Sequence, residues 1–191
     1  MVQQTVREEI LEGCLKIFNE RGLKFTMDDL AKTLGKSKKT IYAFYKGKPE
    51  VLDAMVDYCF DSIKADENRI LLDESLNTVD KLRKVLGAMP EKYRDIDFRQ
   101  LYVLKGKYPR IYERVVHRLE TGWEPTVALI ERGVAEGTIR PVNIPVFRTM
   151  MLATLEQFFQ RDILEGSGLS YTEALREVVA ILVDGITISR E

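Results

Sequence analysis

Apolar residues recur every three or four positions along almost the whole chain, and strand-like alternation is nearly absent. The first such stretch covers about residues 6–20 and has an inward set made of Val6, Ile10, Cys14, Leu15 and Phe18. Arg21 and Gly22 follow it, and a basic residue before a glycine is typical of a helix C-terminus. The pattern therefore predicts an all-α protein of about nine helices, three at the N-terminus and roughly six behind them.

Proline, glycine and short polar segments separate the later helical stretches. A long helix is predicted to begin at Lys48-Pro49-Glu50, because proline fits the first turn of a helix. After a short helix that carries Val79 to Leu86, further helices are predicted over about 95–107, 111–136, 145–164 and 171–188. Pro125 is predicted to kink the helix over 111–136, since it removes one backbone hydrogen bond.

Residues 26–46 predict two short helices joined by a tight turn. Thr26 and Ser37 are suited to cap the two helices, because a hydroxyl accepts a hydrogen bond from an early backbone N–H. Gly35 lies between them and adopts a positive φ without strain. Ala31 is small enough for the helices to cross closely, and Ile41 is placed to wedge between them. These features are typical of a helix-turn-helix, although a helical hairpin on the surface of an unrelated protein has a similar pattern.

The outward side of the second short helix presents Lys38, Lys39, Thr40 and Tyr42. Two adjacent lysines at the positive end of a helix repel the helix dipole, and an anionic partner removes that cost. Residues 1–50 contain ten Lys and Arg against seven Asp and Glu, a net charge of +3 in a chain whose net charge is −1. Positive charge gathered at one end of a near-neutral chain indicates a local DNA-binding module.

Other classes of function receive little support from the composition. The chain has one histidine, His117, and no nucleophile–base pair, Gly-rich phosphate loop or metal-ligand spacing, so no cofactor is expected. An enzyme without a recognisable motif and a helical interaction protein remain the alternatives. The sequence has no long uncharged apolar run and no apolar N-terminal core, so we expect neither a membrane span nor a signal peptide, and a cytoplasmic location.

The chain resembles the TetR family of bacterial transcriptional repressors between Thr26 and Leu52. The matching residues are Thr26, Leu30, Ala31, Leu34, Gly35, Ser37, Ile41, Tyr42, Tyr45, Lys48, Glu50 and Leu52. The resemblance implies a three-helix DNA-binding domain over residues 1–47, and a helical domain over residues 48–191 that binds a small-molecule effector and dimerises. The chain departs from the family pattern at Lys36-Ser37, which keeps the cap and adds a charge.

The residues expected to contact operator DNA are Thr26, Lys36, Ser37, Lys38, Lys39, Thr40, Tyr42, Lys46 and Lys48. Among them, Lys38, Lys39, Thr40 and Tyr42 are placed to face base edges and phosphates. Lys46 and Lys48 flank the start of the fourth helix, where a phosphate is also favoured. Either lysine fits the position that is basic in the family, and the sequence leaves that choice open.

In the larger domain, family geometry and aromatic clustering together suggest an effector site. Its candidate residues are Phe60, Leu86, Phe98, Tyr102, Tyr112, His117 and Trp123. The penultimate helix is apolar on more than one side, which predicts a partner surface and a homodimer held by a four-helix bundle. The candidate interface residues are Met151, Leu155, Phe158, Phe159, Val178, Ile181 and Leu182. An aromatic or apolar stripe of this kind is also found in ordinary cores.

Overall fold

A computed structural model of the chain describes residues 2–93, 99–160, 164 and 168–188. These residues form ten α-helices and two short 3-10 helices, Gly22–Lys24 and Glu91–Tyr93. The α-helices are α1 (Val2–Arg21), α2 (Met27–Thr33), α3 (Lys38–Phe44), α4 (Lys48–Leu72), α5 (Thr78–Leu86), α6 (Arg99–Lys107), α7 (Pro109–Glu120), α8 (Glu124–Ala135), α9 (Ile144–Gln160) and α10 (Tyr171–Asp184). The predicted all-α fold with an N-terminal helix-turn-helix is confirmed. None of the described helices is long and apolar enough to cross a membrane.

The helix predicted over residues 111–136 is in fact two helices, α7 and α8. They are separated at Gly122, which has a φ of +74°, a conformation that glycine adopts without strain. Pro125 lies in the first turn of α8, where its missing N–H has no helical partner to lose. It therefore begins a helix instead of kinking one. Trp123 supports the break, since its Nε1–H donates to the Leu119 carbonyl at 2.9 Å.

The described residues group into two compact units. The first contains residues 2–61 and 99–117, and thus α1–α3, the N-terminal part of α4, α6 and most of α7. Within it, α1 packs on α2, α2 packs on α3, and α6 packs on the 3-10 helix after α1. No pattern along the chain indicated that residues 99–117 group with the N-terminal helices. The predicted division into domains at residues 47 and 48 stays a prediction.

The second unit is built around a core shared by α5, α8, α9 and α10. Its buried residues include Leu82, Leu129, Phe147, Val179 and Val183. An isolated antiparallel β-bridge joins Ile139, which belongs to this core, to Thr187. These contacts explain why helices with no common sequence motif pack together, since each contributes one apolar side to the same core.

The burial of α9 corrects the predicted dimer surface. Met151, Leu155, Phe158, Phe159 and Leu182, all predicted to face a partner, are buried in the protomer's own second unit. Tyr171 at the start of α10 stacks on Phe159 with ring centroids 5.8 Å apart, and it meets Phe158 edge-on. The excess of apolar residues on α9 therefore packs against α10 and its neighbours. Of the predicted set, Ile181 is 70% exposed and Val178 is half-buried.

Two glycines in helices provide a test of the packing in each unit. At Gly133 in α8, a Cβ would lie 2.4 Å from Cδ1 and 3.2 Å from Cβ of the buried Ile139, whereas at Gly106 in α6 it would meet no atom within 4 Å. We expect Gly133→Ala to lower the free energy of unfolding by about 1–3 kcal/mol through overpacking. Gly106→Ala should raise it by about 0.5–1 kcal/mol, because alanine loses less chain entropy in a helix. Urea unfolding of both variants checks this, and equal effects would contradict the packing at Gly133.

Candidate nucleic-acid interface

Reciprocal hydrogen bonds fix the start of α2. The Thr26 backbone N–H donates to the Asp29 carboxylate at 2.8 Å, and the Asp29 N–H donates to Thr26 Oγ1 at 3.1 Å. This capping box satisfies two of the backbone donors that a helix start leaves unpaired. The hydrogen bonds from Thr26 also lower the pKa of the Asp29 carboxyl. Thr26 thus has the capping role predicted for it.

Backbone conformation and hydrogen bonds also fix the turn between α2 and α3 and the start of α3. Gly35 has a φ of +60°, and the Lys36 N–H donates to the Ala31 carbonyl at 3.0 Å, which closes the end of α2. Ser37 Oγ accepts from the Thr40 N–H at 3.1 Å and caps α3. Ile41 is completely buried. The wedge and both caps therefore lie at the positions predicted from the sequence, and together they set which side of α3 faces outward.

The outward side of α3 carries Lys39 and Tyr42. Lys39 is exposed and forms no ion pair with any acid in the described part of the chain. Tyr42 is 49% exposed, an unusual fraction for a large aromatic residue. Thr40 is half-buried, and its hydroxyl shares a hydrogen bond with Ser37 Oγ at 2.9 Å. A long cation and an aromatic hydroxyl are thus the groups that α3 offers to a partner.

Lys36 and Lys38 are already paired with acids. The Lys36 ammonium lies 2.7 Å from the Glu9 carboxylate, and the Lys38 ammonium contacts the Asp28 carboxylate. Lys38 is exposed and Lys36 is half-buried. Ion pairs at a protein surface contribute about 0–1 kcal/mol, so a phosphate competes with them at little cost. Both residues stay candidates for DNA contact, but each has to exchange an existing partner.

Lys46 and Lys48 have different surroundings. The Lys48 ammonium donates to the carbonyls of Leu23 and Phe25 at 2.6 and 2.5 Å, and it lies 4.1 Å from the centre of the Phe25 ring. Burial, together with the positive charge of Lys107, lowers its pKa. The side chain of Lys46 is exposed, and its backbone N–H donates to the Glu50 carboxylate at 2.6 Å. Of the two, Lys46 has the ammonium that is accessible to a phosphate.

The residues predicted to bind an effector are distributed over both units. Phe60, Tyr102, Tyr112 and His117 belong to the first, and Leu86 and Trp123 pack against the core of the second. Phe98 lies outside the described residues. Tyr102 and Tyr112 meet edge-to-face at 5.7 Å, with Tyr112 buried. Whether these side chains line one site stays a prediction.

The described residues line a cavity in each unit. The cavity of the first unit, about 540 Å³, lies between the start of α4 and the α6–α7 turn, next to Pro49, Asp53, Lys107 and Arg110. The cavity of the second unit, about 580 Å³, lies between the end of α4, α5 and α10. None of the residues predicted to bind an effector lines either of these cavities. In the described part of the chain, no group of three or more His, Cys, Asp or Glu is arranged to hold a metal.

Comparison with known proteins agrees with this geometry. Residues 10–55 match the family described as "Bacterial regulatory proteins, tetR family". An uncharacterized HTH-type transcriptional regulator of Bacillus subtilis, YvaF, is 27% identical over 184 residues, covering 96% of this chain and 97% of the relative. The nucleoid occlusion factor SlmA of Aliivibrio fischeri is 26% identical over 184 residues, with 92% and 93% covered.

Solved structures show the same fold. The regulator FadR of Bacillus subtilis, crystallised with stearoyl-CoA, superposes with a TM-score of 0.65 at 18% identity, covering 94% of this chain and 98% of that one. The fold and the exposed α3 define a helix-turn-helix transcriptional regulator that binds DNA. Residues 10–55 carry the DNA-binding segment of the TetR family of bacterial regulators, and over nearly its whole length the chain is similar to an HTH-type transcriptional regulator.

The contrast between Lys46 and Lys48 is open to a stability test. We expect Lys48→Ala to lower the free energy of unfolding by about 2 kcal/mol, because hydrogen bonds from charged groups contribute about 1.5–3 kcal/mol. Lys46→Ala removes an exposed ammonium and should change it by less than about 0.5 kcal/mol. Urea unfolding of the two variants side by side provides the measurement. A Lys48→Ala variant as stable as the parent protein would show that the hydrogen bonds to Leu23 and Phe25 contribute little.

Proposed function

We propose that this protein is a homodimeric repressor that binds a palindromic operator through α3 and leaves it when a small-molecule effector binds. The observation that carries the proposal is the construction of α3. Ile41 is buried on one side, and Lys39 and Tyr42 are exposed on the other. A helix held in this way can enter a major groove with its outer side chains directed at base edges.

Within this proposal, the residues on and around α3 have different roles. Lys39 and Tyr42 contact base edges, where a lysine donates to guanine acceptors and an aromatic ring packs on a thymine methyl group. Lys46 contacts a phosphate, and Thr26 adds a hydroxyl at the start of α2. Lys36, Lys38 and Thr40 contribute after exchanging their present partners. The protein acts in the cytoplasm, with the chromosome, and has no catalytic role.

Substitution of Lys39 and substitution of Lys46 should affect DNA binding in different ways. A duplex recovered from random-sequence DNA by selection with this protein supplies the probe. We expect Lys39→Ala to change the preferred sequence, at a cost of about 1–3 kcal/mol for the original one. Lys46→Ala should weaken selected and unrelated duplexes alike and reduce the salt slope by about one unit for each phosphate that is no longer bound. If selection with Lys39→Ala recovers the same sequence, Lys39 does not read bases.

The proposed dimer uses the apolar residues that the protomer leaves exposed. Val146 and Met150 on α9 are 55% and 52% exposed, and Ile181 on α10 is 70% exposed. The two helices pack against each other, so their exposed sides can form one surface. A two-fold axis makes such a surface self-complementary, because each residue can meet the same set on the partner. This assignment replaces the buried residues of the predicted interface and keeps Ile181 and Val178.

A charge placed in this surface should separate the protomers. We expect Ile181→Asp to shift the protein to a monomer at micromolar concentration, because association would desolvate an unpaired carboxylate in each protomer. Leu72→Asp is the matched control, since Leu72 is a similarly exposed apolar residue of the same unit but lies at the end of α4. Light scattering coupled to gel filtration gives the mass. A dimer that persists in Ile181→Asp would place the interface elsewhere.

The effector is proposed to bind within residues 48–191. Support comes from FadR, which has a similar fold and was crystallised with stearoyl-CoA. To weaken DNA binding by about 100-fold, the effector has to bind the DNA-free state more tightly by roughly 3 kcal/mol. A thermal-shift screen of small molecules, followed by a DNA-binding assay with each hit, tests the coupling. Hits that stabilise the protein without changing its affinity for the selected duplex would argue against it.

A second candidate function is suggested by the relative SlmA, a nucleoid occlusion factor of comparable identity. A protein with that role would act on the nucleoid as a whole, so its binding would not be confined to the control regions of particular genes. A repressor would occupy one or a few sites upstream of genes whose transcription rises when it is deleted. Chromatin immunoprecipitation combined with transcript profiling of a deletion strain separates the two.

A further inference from the structure

The α6–α7 segment carries a concentration of positive charge that is independent of the helix-turn-helix. Residues 99–117 contain five Lys and Arg against a single acid, Glu113, a net charge of +4 in a chain of net charge −1. The segment belongs to the same compact unit as α1–α3. The positive charge of this unit is therefore not confined to the N-terminal fifty residues.

The fold brings part of this charge to the start of α4. Lys107 and Arg110 share a cavity of about 540 Å³ with Pro49 and Glu50, which form the first turn of α4. Burial, and in addition the nearby charge of Lys107, lowers the pKa of the Lys48 ammonium. Lys46, two residues before the start of α4, is exposed. Three exposed cations, Lys46, Lys107 and Arg110, therefore lie near the beginning of α4.

The other cations of the segment have partners. Arg114 is bound by the carboxylates of Asp53 and Asp57 at 2.7 and 3.2 Å. The Lys105 ammonium lies 5.2 and 5.6 Å from the ring centres of Tyr102 and Tyr112. Lys107 and Arg110 are exposed, and neither forms an ion pair with an acid of the described residues. The Lys107 ammonium also lies 5.8 Å from the centre of the Tyr108 ring. Glu50 and Asp53 line the same cavity without pairing with Lys107 or Arg110, so both cations are available to an anionic partner.

The short connection between α3 and α4 indicates that the partner of these cations is the DNA that α3 binds. The last residue of α3 is Phe44 and the first of α4 is Lys48, so the four intervening steps span at most about 14 Å even when fully extended. The major groove that α3 enters is about 12 Å wide, and phosphates line both of its edges. A duplex bound by α3 therefore brings its backbone within reach of the start of α4.

We propose that Lys107 and Arg110, together with Lys46, form a second DNA-backbone contact, in which the α6–α7 turn binds phosphates beside the groove occupied by α3. The partner is the phosphate backbone of double-stranded DNA, and the contact carries no sequence preference. The inference rests on DNA binding through α3 but not on the operator's symmetry or on the effector. In this proposal, α6 and α7 contribute to DNA binding by the unit in which they pack.

The test removes both charges and measures salt dependence. The probe is the duplex selected with the parent protein, and the variant is Lys107→Ala with Arg110→Ala. We expect the slope of log affinity against log salt to fall by about 0.9 for each phosphate that the variant no longer binds, with the preferred sequence unchanged. Lys107→Arg with Arg110→Lys retains both charges and should retain the slope. The unfolding midpoint of each variant, compared with that of the parent, shows that the fold is intact.

The matched control is Lys84→Ala with Arg176→Ala, which changes the net charge equally in the second unit at residues that likewise form no ion pair within the described structure. It should leave the slope unchanged. An unchanged slope in the Lys107 and Arg110 variant, or an equal decrease in the control, would overturn the proposal. If selection with the parent protein recovers no preferred sequence, the operator proposal fails by itself. The slope measured on a random-sequence duplex then still decides the backbone contact.

Discussion

Most of this protein's behaviour toward DNA depends on how a seven-residue helix is held in place. A helix as short as α3 is unstable alone in water, because nucleation costs more than so few hydrogen bonds return. Burial of Ile41 against α2 and the Ser37 cap supply the missing free energy. Both also fix the rotation of the helix, so the side that carries Lys39 and Tyr42 faces outward. The partner surface is therefore a consequence of the residues that are buried.

The connection between this surface and the rest of the first unit passes through Lys48. Its ammonium binds two carbonyls near the end of α1 and lies over the Phe25 ring, so the first turn of α4 is tied to the segment that precedes α2. One of the two cations that the family resemblance offers for DNA contact is thus used inside the protein. The charge left for phosphates is supplied by Lys46 and, in our proposal, by Lys107 and Arg110 from a distant part of the chain. Lys48 has a structural role because two backbone carbonyls accept hydrogen bonds from its ammonium. Lys46 has an exposed side chain and is available for DNA binding.

The second unit shows how an apolar helix is divided between core and surface. On α9, Met151, Leu155 and Phe158 are buried in the protomer, and Val146 and Met150, which lie on another side of the helix, are exposed. Such a helix can pack against the core of its own protomer on one side. In the dimer that we propose, its other side packs against the second protomer. The sequence of α9 contains more apolar residues than a single buried side requires. Which of its sides is buried in the protomer depends on the position of α10. That position is fixed by contacts such as the stacking of Tyr171 on Phe159.

The sequence by itself determined the local elements of this protein. The caps at Thr26 and Ser37, the turn at Gly35 and the wedge at Ile41 act within a few residues of each other, and local chemistry is sufficient to predict them. Only the tertiary structure decided the burial of Phe158 and Phe159 and the pairing of Lys48 with backbone carbonyls. It also decided that residues 99–117 pack with the N-terminal helices. Each of these depends on residues far apart in the chain, where helical periodicity reports that a side chain is apolar or charged but not which neighbour it meets.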